Sequence, residues 1–156
     1  VPDIEGPIHR YMTASPGCWQ AYTELMVSDL PPSTHASLTV DAYAVTHPGE
    51  PGPQSTPSAW IHLTTLCFVL ERGWPVEPAI FLRRLTADAF DGWPWLTRPD
   101  VMGDVTAIDL ATAVGRGDLD LVPALTTAWV VGAWTAWSAH HDGVRSRADA
   151  VAGRMR

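Results

Sequence analysis

Helix starts are marked repeatedly along this chain by a capping residue followed by proline. Ser15-Pro16 and Thr56-Pro57 each place a side-chain oxygen at the N-cap and a proline at the first helical position, where its missing N–H costs little. The spacing of Thr106 and Asp109 is that of a capping box, which predicts a further start. No stretch shows the polar–apolar alternation of a half-buried strand. The sequence therefore predicts an all-α protein.

The remaining stop and start signals predict a helical bundle of four main helices plus two shorter ones. The chain has no internal repeat and no linker long enough to divide it, so we expect residues 1–156 to form a single helical-bundle domain. The predicted segments run from Ser15 to Pro31-Pro32, from Ser33 or Thr34 to Pro48-Gly49, from Ser58 to Glu71, from Glu77 to Phe90, from Thr106 to about Val114, and from Asp118 or Asp120 to a break at Gly143, followed by a short arginine-bearing helix.

Composition excludes several classes of function. The 156 residues carry a net charge of −7, and all ten basic residues are arginine. A chain without lysine cannot form a Schiff base with pyridoxal phosphate and cannot build a nucleotide phosphate loop, since both need an ammonium group. The acidic balance and the lack of a basic stripe argue against a nucleic-acid partner.

We expect a bacterial, cytoplasmic protein. The absence of lysine and the frequent alanine and proline are typical of a GC-rich bacterial genome. Two cysteines do not make the disulfide scaffold of a secreted protein, which favours the cytoplasm. The segment from Leu121 to Ala139 has no charge and is almost long enough to span a bilayer. Its Pro123, its Gly132 and the scattered positions of its tryptophans favour the central helix of a soluble bundle instead, so no membrane partner is expected.

Polar residues fall on the inner faces of three predicted helices. At about 100° per residue, His35 and Asp41 lie on the apolar face of the second helix, His62 lies inside the third, and His140 aligns with Trp129 on the long helix. Facing helices of a bundle commonly build metal sites. His35, Asp41, His62 and His140 are therefore candidate ligands of a divalent metal (Zn, Fe, Ni or Mn), which would support metal-assisted hydrolysis. The alternative is that they are hydrogen-bonded core residues.

The same residues also support a metal-free site. Asp41 bonded to His62 or His140 would orient the imidazole as the general base of an isomerase or a cyclase, with Asp41, His62 and His140 as the catalytic set. Cys18 lies in the first turn of a helix, where a thiol pKa falls. It also begins the apolar stripe of that helix, and we interpret it as a core residue.

Aromatic residues are the candidate lining of a substrate pocket. Eight tryptophans in a chain of this length are a high share, and several occur in a loop or beside small residues on the long helix. A flat or hydrophobic small molecule would suit such a lining, although a tryptophan-rich core explains it as well. The predicted substrate-binding residues are Trp60, Trp93, Trp95, Trp129 and Tyr43.

Two segments resemble a known family. The run His9-Arg-Tyr-Met-Thr-Ala-Ser-Pro-Gly-Cys18-Trp19-Gln-Ala-Tyr22, and the motif from His35 to Gly49 with its Asp41 and His47, are similar to DUF5946, a family of uncharacterised bacterial proteins. The likeness continues through His62 to Gly73. It implies a helical bacterial protein and gives weight to His35, Asp41, His47 and His62, but it implies no activity. The Cys-x-x-Cys-Gly motif that members of this family often carry ahead of Gly6 is not found here.

The leading hypothesis is an enzyme that acts on a small organic molecule, for example in small-molecule biosynthesis. Its site would combine the histidines and Asp41 with a tryptophan-rich pocket, either around a metal or as an acid/base set. The alternative is a non-catalytic, tryptophan-lined protein that binds a hydrophobic ligand or a partner, and a structural oligomerisation module is the third reading. A homodimer is compatible with each of them.

Overall fold

The computed structural model describes residues 5–31 and 33–155, and in these ranges the chain is helical with no strand. This confirms the all-α prediction. The described residues form seven α-helices, as many as the predicted segments and one more than the predicted total of four main and two shorter helices. The α-helices are α1 (Pro16–Val27), α2 (Thr39–Thr46), α3 (Ser55–Leu70), α4 (Val76–Ala89), α5 (Ala107–Arg116), α6 (Val122–Ala136) and α7 (His141–Gly153). Short 3-10 turns precede α2, α6 and α7, at Ala36–Leu38, Leu119–Leu121 and Ser138–His140.

Local capping signals located the starts of α1 and α5 correctly, but Thr56 does not cap α3, which begins one residue earlier at Ser55 and has no side-chain cap. The Ser15 hydroxyl accepts a hydrogen bond from the Cys18 N–H at 3.2 Å where α1 begins. Thr106 forms the predicted capping box of α5, and Gly117 ends that helix in the left-handed conformation, with φ of 79°. α1 ends at Val27, before the predicted Pro31-Pro32 stop, of which Pro32 lies outside the described residues.

α3 is the central helix, and it packs against α2, α4, α6 and α7. Every residue from Leu63 to Phe68 is buried, so the helix has no solvent-facing side over that length. This agrees with the apolar character that the sequence shows on nearly all of its faces. Side chains of α3 can therefore meet side chains from several neighbouring helices.

The second helix begins later than the sequence indicated. Neither Ser33 nor Thr34 caps an α-helix, because the chain first makes the 3-10 turn Ala36–Leu38 and α2 starts at Thr39. His35 precedes that turn, so the helical position that directed it toward the core was wrong. α2 itself is short, and it is buried at every position except Val40.

The predicted long helix is in fact two helices. The break falls at Trp137 and not at Gly143, which lies inside α7. The fully buried Trp137 indole donates a hydrogen bond to the Val45 carbonyl at 3.0 Å and so ties this corner to α2. The 3-10 turn that follows removes His140 from the face that it would share with Trp129 in a continuous helix.

α4 presents a narrow inner face. Its buried residues are Ala79, Leu82, Thr86 and Ala89, which recur every three or four positions. Phe81 is 61 % exposed, because it lies one position away from Leu82 and therefore about 100° around the helix.

The segment Leu119–Ala136 is long and apolar enough to cross a membrane by length and composition, with a mean hydropathy of 1.2. The core helix of a soluble protein passes the same test. In this structure α6 packs against α2, α3 and α5, and the side chains of Trp129, Val130 and Ala133 are buried.

Candidate functional site

Asp41 is the one charged side chain that is fully buried among the described residues. α2 carries it inward, and two neighbouring helices supply its partners. His62 Nδ1 on α3 lies 2.8 Å from Asp41 Oδ1. On α4, the Nε of Arg83 donates to the same oxygen at 2.9 Å, and its Nη2 donates to Oδ2. Three helices therefore meet on one carboxylate, whose charge is compensated as a buried charge must be.

The contact with Asp41 assigns the position of the proton on His62. An ionised carboxylate only accepts hydrogen bonds, so Nδ1 carries the hydrogen and donates it. In the neutral ring Nε2 is then the basic atom. The His62 side chain is 17 % exposed, so part of it reaches solvent although its partner is buried. An imidazole that a carboxylate holds in one tautomer can act as a general base.

Arg83 is the member of this site that sequence reasoning missed. The helical pattern of α4 directs Arg83 and Arg84 outward, but the long side chain of Arg83 folds back onto α2. Its Nη2 also donates to the Ser37 carbonyl at 3.4 Å, whereas Arg84 is exposed. A mid-helix Asp facing the core signals that a cation must lie nearby, yet that signal does not say which arginine supplies it.

A cavity of about 400 Å³ adjoins Arg83, between α1, the Ala36–Leu38 turn and the start of α2. Tyr22 is one of the residues that line it. Burial, with the charge of Asp41, raises the pKa of Tyr22 to about 12, so this hydroxyl stays protonated at neutral pH. A mostly apolar wall with a guanidinium and a hydroxyl suits a small organic molecule. The other lining residues are Leu25, Met26, Ser28, Leu30, Ala36, Ser37, Thr39 and Val40.

His35 and His140 do not join the Asp41–His62 pair. The Nδ1 of His35 lies 3.2 Å from the Thr127 hydroxyl of α6. The Nε2 of His140 lies 2.9 Å from the Thr97 carbonyl, in the loop that follows α4. The prediction that each histidine faces the core assumed a helix that, in the structure, does not include the residue. The four predicted ligands are therefore not brought together.

The described ranges, 5–31 and 33–155, hold no group of three or more His, Cys, Asp or Glu side chains placed to share a metal ion. The nearest arrangement to the predicted site is the pair Asp41 and His62. The second oxygen of Asp41 is engaged by Arg83, which leaves the pair with few electron pairs to offer a cation.

Trp60 and Trp93 face an arginine of this chain and not an open pocket. The Arg147 guanidinium lies 4.5 Å from the Trp60 ring centroid and 4.9 Å from that of Trp93, with Phe90 at 4.3 Å. The Trp60 indole donates to the Pro94 carbonyl at 2.7 Å. These cation–π contacts fill the aromatic surface that the sequence assigned to substrate.

The other predicted lining residues are dispersed. Trp95 is 39 % exposed, and Trp129 is buried beside a second, smaller cavity. Tyr43 is buried and stacks between Tyr22 and His47, with ring centroids 3.9 and 4.3 Å away. Of the five aromatic residues predicted to bind substrate, Trp129 alone lines one of the five main cavities, and it lies there without a second tryptophan.

Comparison with known proteins gives a single result. Neither the curated proteins nor the solved structures contain a match. The model of DUF5946, a family of unknown function, matches residues 5–138. This range includes α1 to α6, and with them Asp41, His62 and Arg83. Because the match covers well over half of the sequence, the chain belongs to the DUF5946 family.

Proposed function

We propose that this protein is an enzyme that abstracts a proton from a small organic molecule, with the Nε2 of His62 as the general base. The observation that carries the proposal is the 2.8 Å contact between His62 Nδ1 and the fully buried Asp41. Asp41 fixes the tautomer of the ring and stabilises the imidazolium that forms when Nε2 takes a proton. Isomerisation and cyclisation are the reaction classes that need this step.

Arg83 has two roles in this proposal. It places a positive charge against the buried carboxylate of Asp41, because its guanidinium contacts both carboxylate oxygens. It also lines the 400 Å³ cavity together with Tyr22. A carbonyl or carboxylate oxygen of a substrate in this cavity would accept hydrogen bonds from these two groups. His62 does not line the cavity, and it is linked to it through Asp41 and Arg83.

The positions of His35 and His140 favour an acid/base site at Asp41 and His62 over a metal site. A metal would need ligands besides Asp41 and His62, and the nearest polar partners of His35 and His140 are Thr127 and Thr97. The described residues place no third His, Cys, Asp or Glu side chain with Asp41 and His62, so Zn, Fe, Ni or Mn would need a ligand brought in from elsewhere. The metal alternative predicts activity that a chelator abolishes.

A deuterium wash-in experiment tests the proposal without knowledge of the substrate. The full chain is incubated in heavy water with a bacterial small-molecule extract, and untargeted mass spectrometry follows every ion. A general base that abstracts a proton returns deuterium to its substrate, even where the equilibrium favours the starting compound. We expect at least one compound to gain deuterium or to be consumed.

Variants link the result to the site. We expect His62→Gln to remove the effect and the matched control His35→Gln to keep it, with or without a chelator present. Exchange that persists in His62→Gln would overturn the assignment. A compound that binds without any change of mass would instead support the alternative of a non-catalytic binding protein.

A further inference from the structure

A second pair of reactive side chains lies apart from Asp41, where α1 meets the end of α2. The thiol sulfur of Cys18 is 3.0 Å from the Nε2 of His47. Cys18 is the third residue of α1, and His47 follows the last residue of α2. A thiol at a helix N-terminus is placed where the helix dipole favours the thiolate. The proposed acid/base reaction does not use this pair.

The neighbours of His47 assign its tautomer. Its Nδ1 lies 3.0 Å from the Tyr43 carbonyl, which can only accept a hydrogen bond. The Thr46 hydroxyl is also near Nδ1, but it donates to the Ala42 carbonyl at 2.8 Å. Nδ1 therefore carries the hydrogen, and the lone pair of Nε2 faces the thiol. Cys18 is thus placed as a nucleophile, His47 as its base, and the Tyr43 carbonyl as the group that orients the base.

The resting pair is neutral. Burial raises the pKa of the Cys18 thiol. Burial also lowers the pKa of His47, and the nearby Arg98 adds to that effect. His47 is thus an unprotonated base at neutral pH, ready to take the thiol proton during attack on a substrate.

Tyr43 supplies a hydrogen-bond donor beside the thiol. Its hydroxyl is buried and meets no hydrogen-bonding nitrogen or oxygen within the described residues, and the Cys18 thiol is a polar group close enough to act on its pKa. Desolvation raises its pKa, with Cys18 as the next contributor, so it remains a neutral donor. A buried hydroxyl without a partner lowers the stability of the fold. It can donate a hydrogen bond to the carbonyl oxygen of a substrate, which becomes negative when the sulfur attacks.

A small cavity of about 140 Å³ opens beside His47, lined in part by Arg98 and Trp129. Its size suits an acyl group of a few heavy atoms, and of Cys18, His47 and Tyr43 it is His47 that lines it. We propose that Cys18 and His47 form a covalent acyl-transfer centre, which takes a small acyl group from an activated ester or thioester and releases it to water. Tyr43 would stabilise the oxyanion of each tetrahedral intermediate.

The step balances with these residues and water. As Sγ attacks the carbonyl carbon, Nε2 of His47 takes the thiol proton; the Sγ–C bond forms and the bond to the leaving oxygen or sulfur breaks. That leaving group receives the proton from His47. Water then attacks the acyl carbon and gives a proton to Nε2, and the Sγ–C bond breaks to release the acid. The proton on His47 returns to the Cys18 sulfur.

The test uses p-nitrophenyl acetate and the full chain. We expect a rapid release of one equivalent of p-nitrophenolate per chain, and mass spectrometry of the intact and digested protein should locate one acetyl group on Cys18. Cys67→Ala is the matched control, because Cys67 is a fully buried thiol on α3, and this variant should keep the burst.

Three substitutions complete the experiment. Cys18→Ser should lose the burst, and His47→Gln should slow it by about a hundredfold, the usual contribution of a general base. Tyr43→Phe keeps the stacked ring and should slow acylation by about a hundredfold, as loss of an oxyanion donor does. A wild-type chain that shows no burst, or that carries the acetyl group elsewhere, overturns the proposal. So does a Tyr43→Phe variant with both the wild-type fold by circular dichroism and the wild-type rate.

Discussion

One buried carboxylate, Asp41, fixes how α2, α3 and α4 approach one another. Its two partners, Arg83 and His62, differ in what they contribute. Arg83 contacts both oxygens and is always charged, whereas His62 contacts one oxygen and does not need to be protonated to donate. Of these two partners, Arg83 is therefore the one whose removal should lower the free energy of unfolding more.

We predict that Arg83→Ala lowers the free energy of unfolding by about 3 kcal/mol, because it leaves a fully buried carboxylate with half of its compensation. Urea denaturation followed by tryptophan fluorescence measures this. The neighbouring Arg84→Ala removes the same side chain from an exposed position, and we expect a change within about 0.5 kcal/mol. Equal effects of the two substitutions would show that the pairing with Asp41 contributes little to stability.

Residue patterns identified part of this site and not the rest. Asp41 and His62 each lie inside a helix whose core-facing side is visible in the sequence, so their meeting was foreseeable. The contact of Arg83 depends on a flexible side chain that crosses from α4 to α2, and no helical period encodes that. His47 follows the last residue of α2, and its ring turns back to Cys18 at the helix end, a contact that no helical period encodes either.

At the scale of the helix, the first turn of α1 contributes to the stability of the fold and also positions Cys18 of the second site. Ser15 Oγ accepts from the Cys18 N–H at 3.2 Å, so the cap and the thiol belong to the same turn. We predict that Ser15→Ala lowers the free energy of unfolding by about 1 kcal/mol. It should also slow the acetylation of Cys18, because the first turn that positions the sulfur becomes less ordered.

A second cap provides the control for that prediction. Thr106→Ala removes the capping box of α5, which should again cost about 1 kcal/mol but should leave the acetylation rate unchanged. Parallel urea titrations and burst measurements on the two variants separate the effects. If both variants slow acetylation equally, the change reflects general stability and not the position of Cys18.

Helix boundaries with local causes were predictable, and boundaries with tertiary causes were not. The starts of α1 and α5 follow from side chains that bond to their own first turn. The break between α6 and α7 has neither glycine nor proline at its position. It is fixed by Trp137, whose indole bonds to the Val45 carbonyl across the bundle. Sequence reasoning placed that break at Gly143 because glycine is the local signal for it.

At the scale of the whole molecule, the burial of histidines links folding to pH. The pKa values of His9, His35 and His47 are all lowered by burial, because the folded protein disfavours their charged forms. The thiol pKa values of Cys18 and Cys67 are raised for the same reason. Both kinds of shift favour the neutral side chain, so stability should be highest between the titration of unfolded histidine and that of unfolded cysteine.

We predict that the free energy of unfolding falls as the pH drops from 7.5 through about 6.5, the pKa of histidine in an unfolded chain. Below this pH the histidines of the unfolded state are protonated while the buried ones of the folded state stay neutral. Proton binding therefore shifts the equilibrium toward the unfolded state. Urea titrations at successive pH values down to about 5 measure the slope. His47→Gln should make the slope shallower, since glutamine does not titrate and can still donate to the Tyr43 carbonyl. A wild-type stability that stays constant or rises over this range would contradict the argument, because buried neutral imidazoles cannot give that result.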